Sequence, residues 1–203
     1  MVTLVKYGLG NIQAFHNIYT RLNLKVEIAT TPKELLRARK IILPGVGAFD
    51  WAMTCLNESG LRQTLDDLVL KQQIPVLGIC VGMQMMAKRS EEGLLPGLGW
   101  IDADVRRFDE SSCTHVTHLP HMGWNDVIPA HNNGLFAGIM EPRFYFLHSY
   151  YFAPVNISQI LARTDYGGEF PSAVSNGHIY GVQFHPEKSH EWGIQLLKNF
   201  AEL

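Results

Sequence analysis

The sequence predicts an α/β protein with a mixed, largely parallel central sheet flanked by helices, and antiparallel strands in its second half. Two observations carry this. Residues 1–90 alternate short, β-branched apolar runs with segments of helical period, the pattern of parallel strands joined by helices. From residue 100 onward, strand-like runs follow one another with only turn residues between them. No repeat, low-complexity tract or linker interrupts the chain, so residues 1–203 are expected to form a single domain. Hydrophobic residues make up 46% of the chain, enough to build a sizeable core.

The elements follow in order. VTLVKYG (2–8) reads as a buried strand. Residues 10–22 place Ile12, Phe15, Ile18, Tyr19 and Leu22 on one helical face. LKVEIA (24–29) is a strand, and Pro32 opens a short helix from its first turn. KIILPG (40–45) is a strand ending in a turn. Residues 49–72 are helical in two pieces, broken near Ser59-Gly60. PVLGIC (75–80) is a strand and 81–88 a helix. Beyond residue 100, WIDADVRRF, WNDVI, FYFLHSYYF, QILARTDY and PSAVSNGHIYGVQF read as strands. Asn132-Asn133-Gly134, Gly167-Gly168 and Asn176-Gly177 supply turns, and a last helix spans about 189–202.

Charge and cysteine content narrow the function. Lys and Arg total 17 against 19 Asp and Glu, so no basic excess is present to neutralise phosphates, and no nucleic-acid partner is expected. The N-terminus lacks the pattern of a signal peptide, and the apolar run 76–87 is too short to span a bilayer, so no membrane partner is expected either. Cys55, Cys80 and Cys113 are an odd number without tight spacing. That argues against a disulfide framework and for a reducing, cytoplasmic compartment.

Cys80 stands apart. G-I-C-V-G (78–82) has the form of a nucleophile elbow with cysteine in place of serine. A sharp turn there lifts the sulfur to the carboxyl ends of the strands, where open α/β sheets bind ligands. It also sets the sulfur at a helix N-terminus, which favours thiolate. Gly78 and Gly82 remove side chains that would collide with the neighbouring strand and helix. The pattern alone is also compatible with a buried, inert cysteine.

A thiolate needs a base, and the base needs an orienting group. GVQFHPEKS (181–189) offers both. His185 follows a strand, Pro186 stops that strand, and in an extended segment Glu187 would lie on the same side as His185. The oxyanion of an acyl-transfer intermediate needs inward-facing N–H groups. The Val81 N–H, directly after the nucleophile, is one. LPGVGAF (43–49) offers a second around Val46 and Gly47, although the same glycines would serve a plain turn.

With these residues in place, PGVG (44–47), GICVGMQ (78–84) and GVQFHPEKS (181–189) together resemble the class I, triad-type glutamine amidotransferases. YGLGN (7–11), PHMGWN (120–125), YFLHSY (145–150) and FPSAV (170–174) are similar to one branch of that family, the glutaminase subunits of imidazole glycerol phosphate synthase. The resemblance covers nearly the whole chain. Val81 and Met85 stand where the family often has leucine, a conservative departure.

The resemblance implies the class I glutamine amidotransferase fold and hydrolysis of L-glutamine to glutamate and ammonia. Cys80 would be the nucleophile, His185 the acid and base, and Glu187 its orienting partner. Gly45, Gln84, Ser149 and Tyr150 would hold the substrate. It also implies a (β/α)8-barrel cyclase subunit as partner in a heterodimer, since free ammonia would be lost to water. The cyclase would use the ammonia on a ribulosyl formimino-AICAR phosphate to give imidazole glycerol phosphate and AICAR. Trp124, Asn125, Tyr145 and, more weakly, Asn11 are expected near that interface. The glycines of PGVG would allow a peptide flip that completes the oxyanion hole only with the partner liganded.

Other signals are discounted. His115, His118 and His121 recur every three residues, but Pro120 excludes a regular helix there, and no metal site is expected. Gly8-Leu9-Gly10 lacks the third glycine of a dinucleotide fingerprint, because position 13 is Gln13. No cofactor is expected. Cys55 and Cys113 read as packing residues. Three alternatives stay open: the glutaminase subunit of anthranilate or aminodeoxychorismate synthase, another elbow-cysteine hydrolase of the DJ-1 kind, and a non-catalytic scaffold.

Overall fold

The computed structural model describes residues 1–109, 118–130 and 133–203; Cys113, His115 and Asn132 lie outside the described residues. In chain order the first strands are β1 (Val2–Val5), β2 (Val26–Ala29), β3 (Ile41–Gly45), β4 (Val76–Cys80), β5 (Arg89–Ser90) and β6 (Ala103–Arg107). They are followed by β7 (His121–Asp126), β8 (Ile128–Pro129), β9 (Arg143–His148), β10 (Tyr150–Pro154), β11 (Ile160–Asp165), β12 (Glu169–Asn176) and β13 (Ile179–Val182). The α-helices are α1 (Ile12–Arg21), α2 (Pro32–Leu35), α3 (Phe49–Glu58), α4 (Arg62–Asp66), α5 (Val81–Gln84) and α6 (His190–Glu202).

Eight strands form the main sheet in the order β2-β1-β3-β4-β13-β12-β11-β8. The first five run parallel, and β13, β12, β11 and β8 pair antiparallel. β1, β3 and β4 are buried along their whole length, which is why they read as continuous apolar runs. Helices cover them. Phe15 and Tyr19 of α1 and Leu196, Leu197 and Phe200 of α6 face the sheet, each fully buried side chain stabilising by about 1.5–3 kcal/mol. α2 starts as the proline predicted, with Thr31 and Glu34 forming a capping box around Pro32. β10, β6 and β5 make a small second sheet, and β7 and β9 a two-stranded ribbon.

The structure differs from the sequence expectations in three places that matter. The helix after Cys80 is one turn, Val81–Gln84, not 81–88; Met85 and Met86 close it with turn bonds to Val81 and Met83, and the chain then enters β5. So short a helix has little macrodipole to offer the sulfur. FYFLHSYYF is not one strand. It breaks at Ser149, with β9 in the ribbon and β10 in the small sheet. Finally, Pro186–Lys188 is a 3-10 turn, not an extended segment.

Candidate active site

The elbow forms where β4 meets α5. Cys80 has φ 55° and ψ −114°, a strained backbone for a residue with a side chain. Crowding holds it there. A Cβ on Gly78 would lie 2.7 Å from the Gly82 carbonyl oxygen, and one on Gly82 would collide with the Leu43 carbonyl. One on Gly45 would run into the Gly82 nitrogen. Three glycines thus let the end of β3 and the elbow touch backbone to backbone. Gly45 and Cys80 are register partners, so the PGVG segment leaves the sheet beside the sulfur. Cys80 is buried, and its sulfur faces the Leu147 carbonyl at 3.9 Å and Gln183 Nε2 at 3.8 Å.

His185 is anchored by its backbone. Its N–H donates to the Tyr145 carbonyl at 2.9 Å, and its carbonyl accepts from Ser189 Oγ at 2.6 Å. Ser189 Oγ in turn accepts from the Tyr145 N–H, so the loop is stitched to β9. Pro186 starts the 3-10 turn, and that turn brings Glu187 Oε1 to 2.9 Å from His185 Nδ1. Both side chains are 3% exposed, and Glu187 Oε2 has no partner among the described residues.

Burial works against charge on His185, but hydrogen bonds with Cys80 and Glu187 outweigh it and raise the ring to about 10. His185 is therefore expected to stay an imidazolium through neutral pH. Because the folded value lies above the ordinary 6.5, the stability this contributes is fully present below about 6.5 and is lost as pH rises through about 10. A ¹⁵N NMR titration of the ring checks this, and Glu187→Gln should move the midpoint down. A midpoint already near 6.5 in the unaltered chain would contradict it.

Cys80 and His185 line one cavity of about 290 Å³ with Val46, Gly47, Val81, Gln84, Pro120, Leu147, His148, Ser149, Tyr150 and Lys188. The cavity brings together all the predicted catalytic, oxyanion and substrate residues except Gly45, which packs just beneath, and Glu187, which stands behind His185. Gln84 is 2% exposed, not a surface glutamine. Its Nε2 donates to the Tyr150 carbonyl at 3.0 Å and to Gln183 Oε1 at 3.1 Å. The arrangement can do nucleophilic acyl chemistry: a sulfur on a strained turn, an imidazole beside it, and a carboxylate behind the ring.

The predicted interface residues fall in three settings. Trp124 and Tyr145 are register partners on the outer face of the ribbon, beside exposed Met122 and Leu147. Trp124 stacks on His190 at 5.2 Å, and the Lys188 ammonium sits 5.5 Å over the Tyr145 ring. Asn125 turns inward, to His121 and the Asp165 carbonyl. Asn11 caps α1, its side-chain oxygen accepting from the Ala14 N–H at 3.2 Å. Sequence reasoning missed Gln183 and His148, which belong to the same site. Gln183 lies inside the quoted GVQFHPEKS motif, so a signal was present. His121 was set aside with two other histidines, and its partner is His148, 27 residues on.

The fold and the site define a class, and the comparisons agree on it. The family described as Glutamine amidotransferase class-I matches residues 4–203. A crystal structure described as a glutamine amidotransferase covers 100% of both chains with TM-score 0.75 at 20% identity. The chain belongs to the class I glutamine amidotransferases. Within that class it is 57% identical to imidazole glycerol phosphate synthase subunit HisH of Bdellovibrio bacteriovorus, over 100% of both chains. It is 48% identical to the subunit of that name from Leptospira interrogans, again over 100% of both.

Proposed function

We infer that this chain is the glutaminase subunit of imidazole glycerol phosphate synthase, acting over its whole length as one amidotransferase unit in histidine biosynthesis. The observation that supports this most is Cys80 on a left-handed elbow, sharing one cavity with His185, which Glu187 holds at 2.9 Å. Cys80 Sγ attacks the side-chain carboxamide carbon of L-glutamine. The oxyanion is held by the N–H of Val81 and by that of Val46 or Gly47 across the backbone contact. His185 gives its proton to the departing ammonia, leaving a thioester. It then takes a proton from water, which attacks the thioester and releases glutamate. Glu187 keeps Nδ1 protonated and stabilises the imidazolium. Gln84 and the Ser149–Tyr150 backbone grip the substrate, and Gly45 leaves the room. No step calls for a cofactor.

The ammonia then passes to a (β/α)8-barrel cyclase docked over the site. The exposed Trp124, Met122 and Leu147, with half-buried Tyr145, offer the aromatic and apolar anchors that interfaces favour. Among the described residues no helix is long and apolar enough to cross a membrane, and the pair is assigned to the cytoplasm. The test is to mix the chain with the cyclase, its ribonucleotide ligand and glutamine, and to measure product. Glutamine turnover should rise by about 100-fold or more over the free chain, the scale of one oxyanion donor gained. A free chain as active as the complex would refute the dependence on the partner.

A further inference from the structure

Two buried histidines beside the nucleophile take no part in that chemistry. His121 and His148 are register partners across β7 and β9, at 3% and 6% exposure. His121 Nδ1 lies 3.0 Å from His148 Nε2. His148 Nδ1 is 2.8 Å from the Tyr150 carbonyl oxygen, and His121 Nε2 is 3.2 Å from Asn125 Nδ2.

The donors and acceptors fix the direction of this chain. A carbonyl only accepts, so His148 carries its hydrogen on Nδ1. Neutral His148 then accepts at Nε2, and His121 must donate from Nδ1. His121 Nε2 accepts from the Asn125 amide. That amide gives its other hydrogen to the Asp165 carbonyl at 2.9 Å, while its oxygen accepts the Asp126 N–H at 2.8 Å. A proton added to either ring sets two donors face to face, unless the amide turns over and gives up both those bonds. Burial pushes the same way, holding His121 down at about 4 and His148 at about 3, with the His121 ring adding to the effect on His148.

The Tyr150 carbonyl is shared. It also accepts from Gln84, which donates to Gln183, whose amide reaches the Cys80 sulfur at 3.8 Å. A continuous polar chain thus runs from Asn125 on the ribbon to the nucleophile. We propose that His148 and His121 are positioning residues, which hold the Tyr150 carbonyl and the Ser149–Tyr150 edge of the glutamine pocket in register with Gln84 and Cys80. The proposal rests on the glutaminase reading above. Asn125 sets the tautomer of both rings, and so governs the pocket without touching substrate.

The test uses the complex of the full chain with the cyclase. His148→Leu is expected to raise KM for glutamine about tenfold, with kcat within about twofold. His148→Asn, whose Nδ2 replaces ring Nδ1, recovers most of that KM. His148→Gln, whose nitrogen falls where Nε2 was, does not. Turnover driven by ammonium salts is the same in all. In the unaltered full chain at neutral pH, ¹⁵N shifts are expected to report the Nδ1–H tautomer on both rings, a readout that does not depend on any variant folding. An Nε2–H tautomer on either ring, an unchanged KM in His148→Leu, or equal defects in the Asn and Gln variants overturns the proposal. If the unaltered complex makes no product from glutamine, the glutaminase reading falls instead, and the tautomers still judge the network.

Discussion

Cys80→Ala is expected to lower glutamine-dependent product formation in the complex by about 10⁴-fold or more, because Cys80 is the thiol that lines the cavity beside His185. Added ammonium salts should sustain turnover at the level of the unaltered complex, since they supply the ammonia that the variant no longer releases. Two features make the split clean. Alanine is smaller than cysteine, so it fits where the sulfur faces Leu147 and Gln183. The elbow is held by glycines, not by the thiol. Retained glutamine turnover in Cys80→Ala would remove the nucleophile from the mechanism. Loss of ammonium-driven turnover as well would place the defect outside the sulfur chemistry.

Gly82→Ala should be among the most damaging single methyl additions in the protein. Its Cβ would collide with the Leu43 carbonyl and lie 3.2 Å from the Pro44 carbonyl carbon, all main-chain atoms that no rotamer change can move. β3 and the elbow would have to part, at a cost of about 3 kcal/mol or more, or roughly 10 °C in Tm for a chain of this size. Gly60→Ala is the control. Gly60 also has positive φ, at 73°, but nothing lies within 4 Å of its would-be Cβ. It should cost only about 1–2 kcal/mol of backbone strain. Thermal unfolding of the two variants measures the difference, and equal shifts would mean that the close approach of the two backbones is not what holds the turn.

Much of this was legible in the residues. β1, β3 and β4 are buried on both sides and so read as apolar runs, and the Ser59-Gly60 break in the helical region falls where α3 ends. The elbow glycines flank the cysteine at the spacing that the backbone contacts require. Glu187 does meet His185, but through a tight turn opened by Pro186, not through the alternation of an extended strand. What stayed hidden depends on which strands are neighbours. Period-two alternation says that His148 and His121 point to one side of their strands. It does not say that β7 and β9 pair, or that their rings meet. The length of α5 was likewise invisible, because apolar Met85, Met86 and Ala87 continue the pattern after the helix has ended. The break within 144–152 had no turn residue stronger than Ser149 to announce it.

That change of sheet at Ser149 has a practical side. The far wall of the pocket sits where the chain crosses from the ribbon to the small sheet, so its shape is set at one short joint. Engineers seeking a different amide donor would do well to vary the few positions either side of 149 first, and to screen by substrate preference.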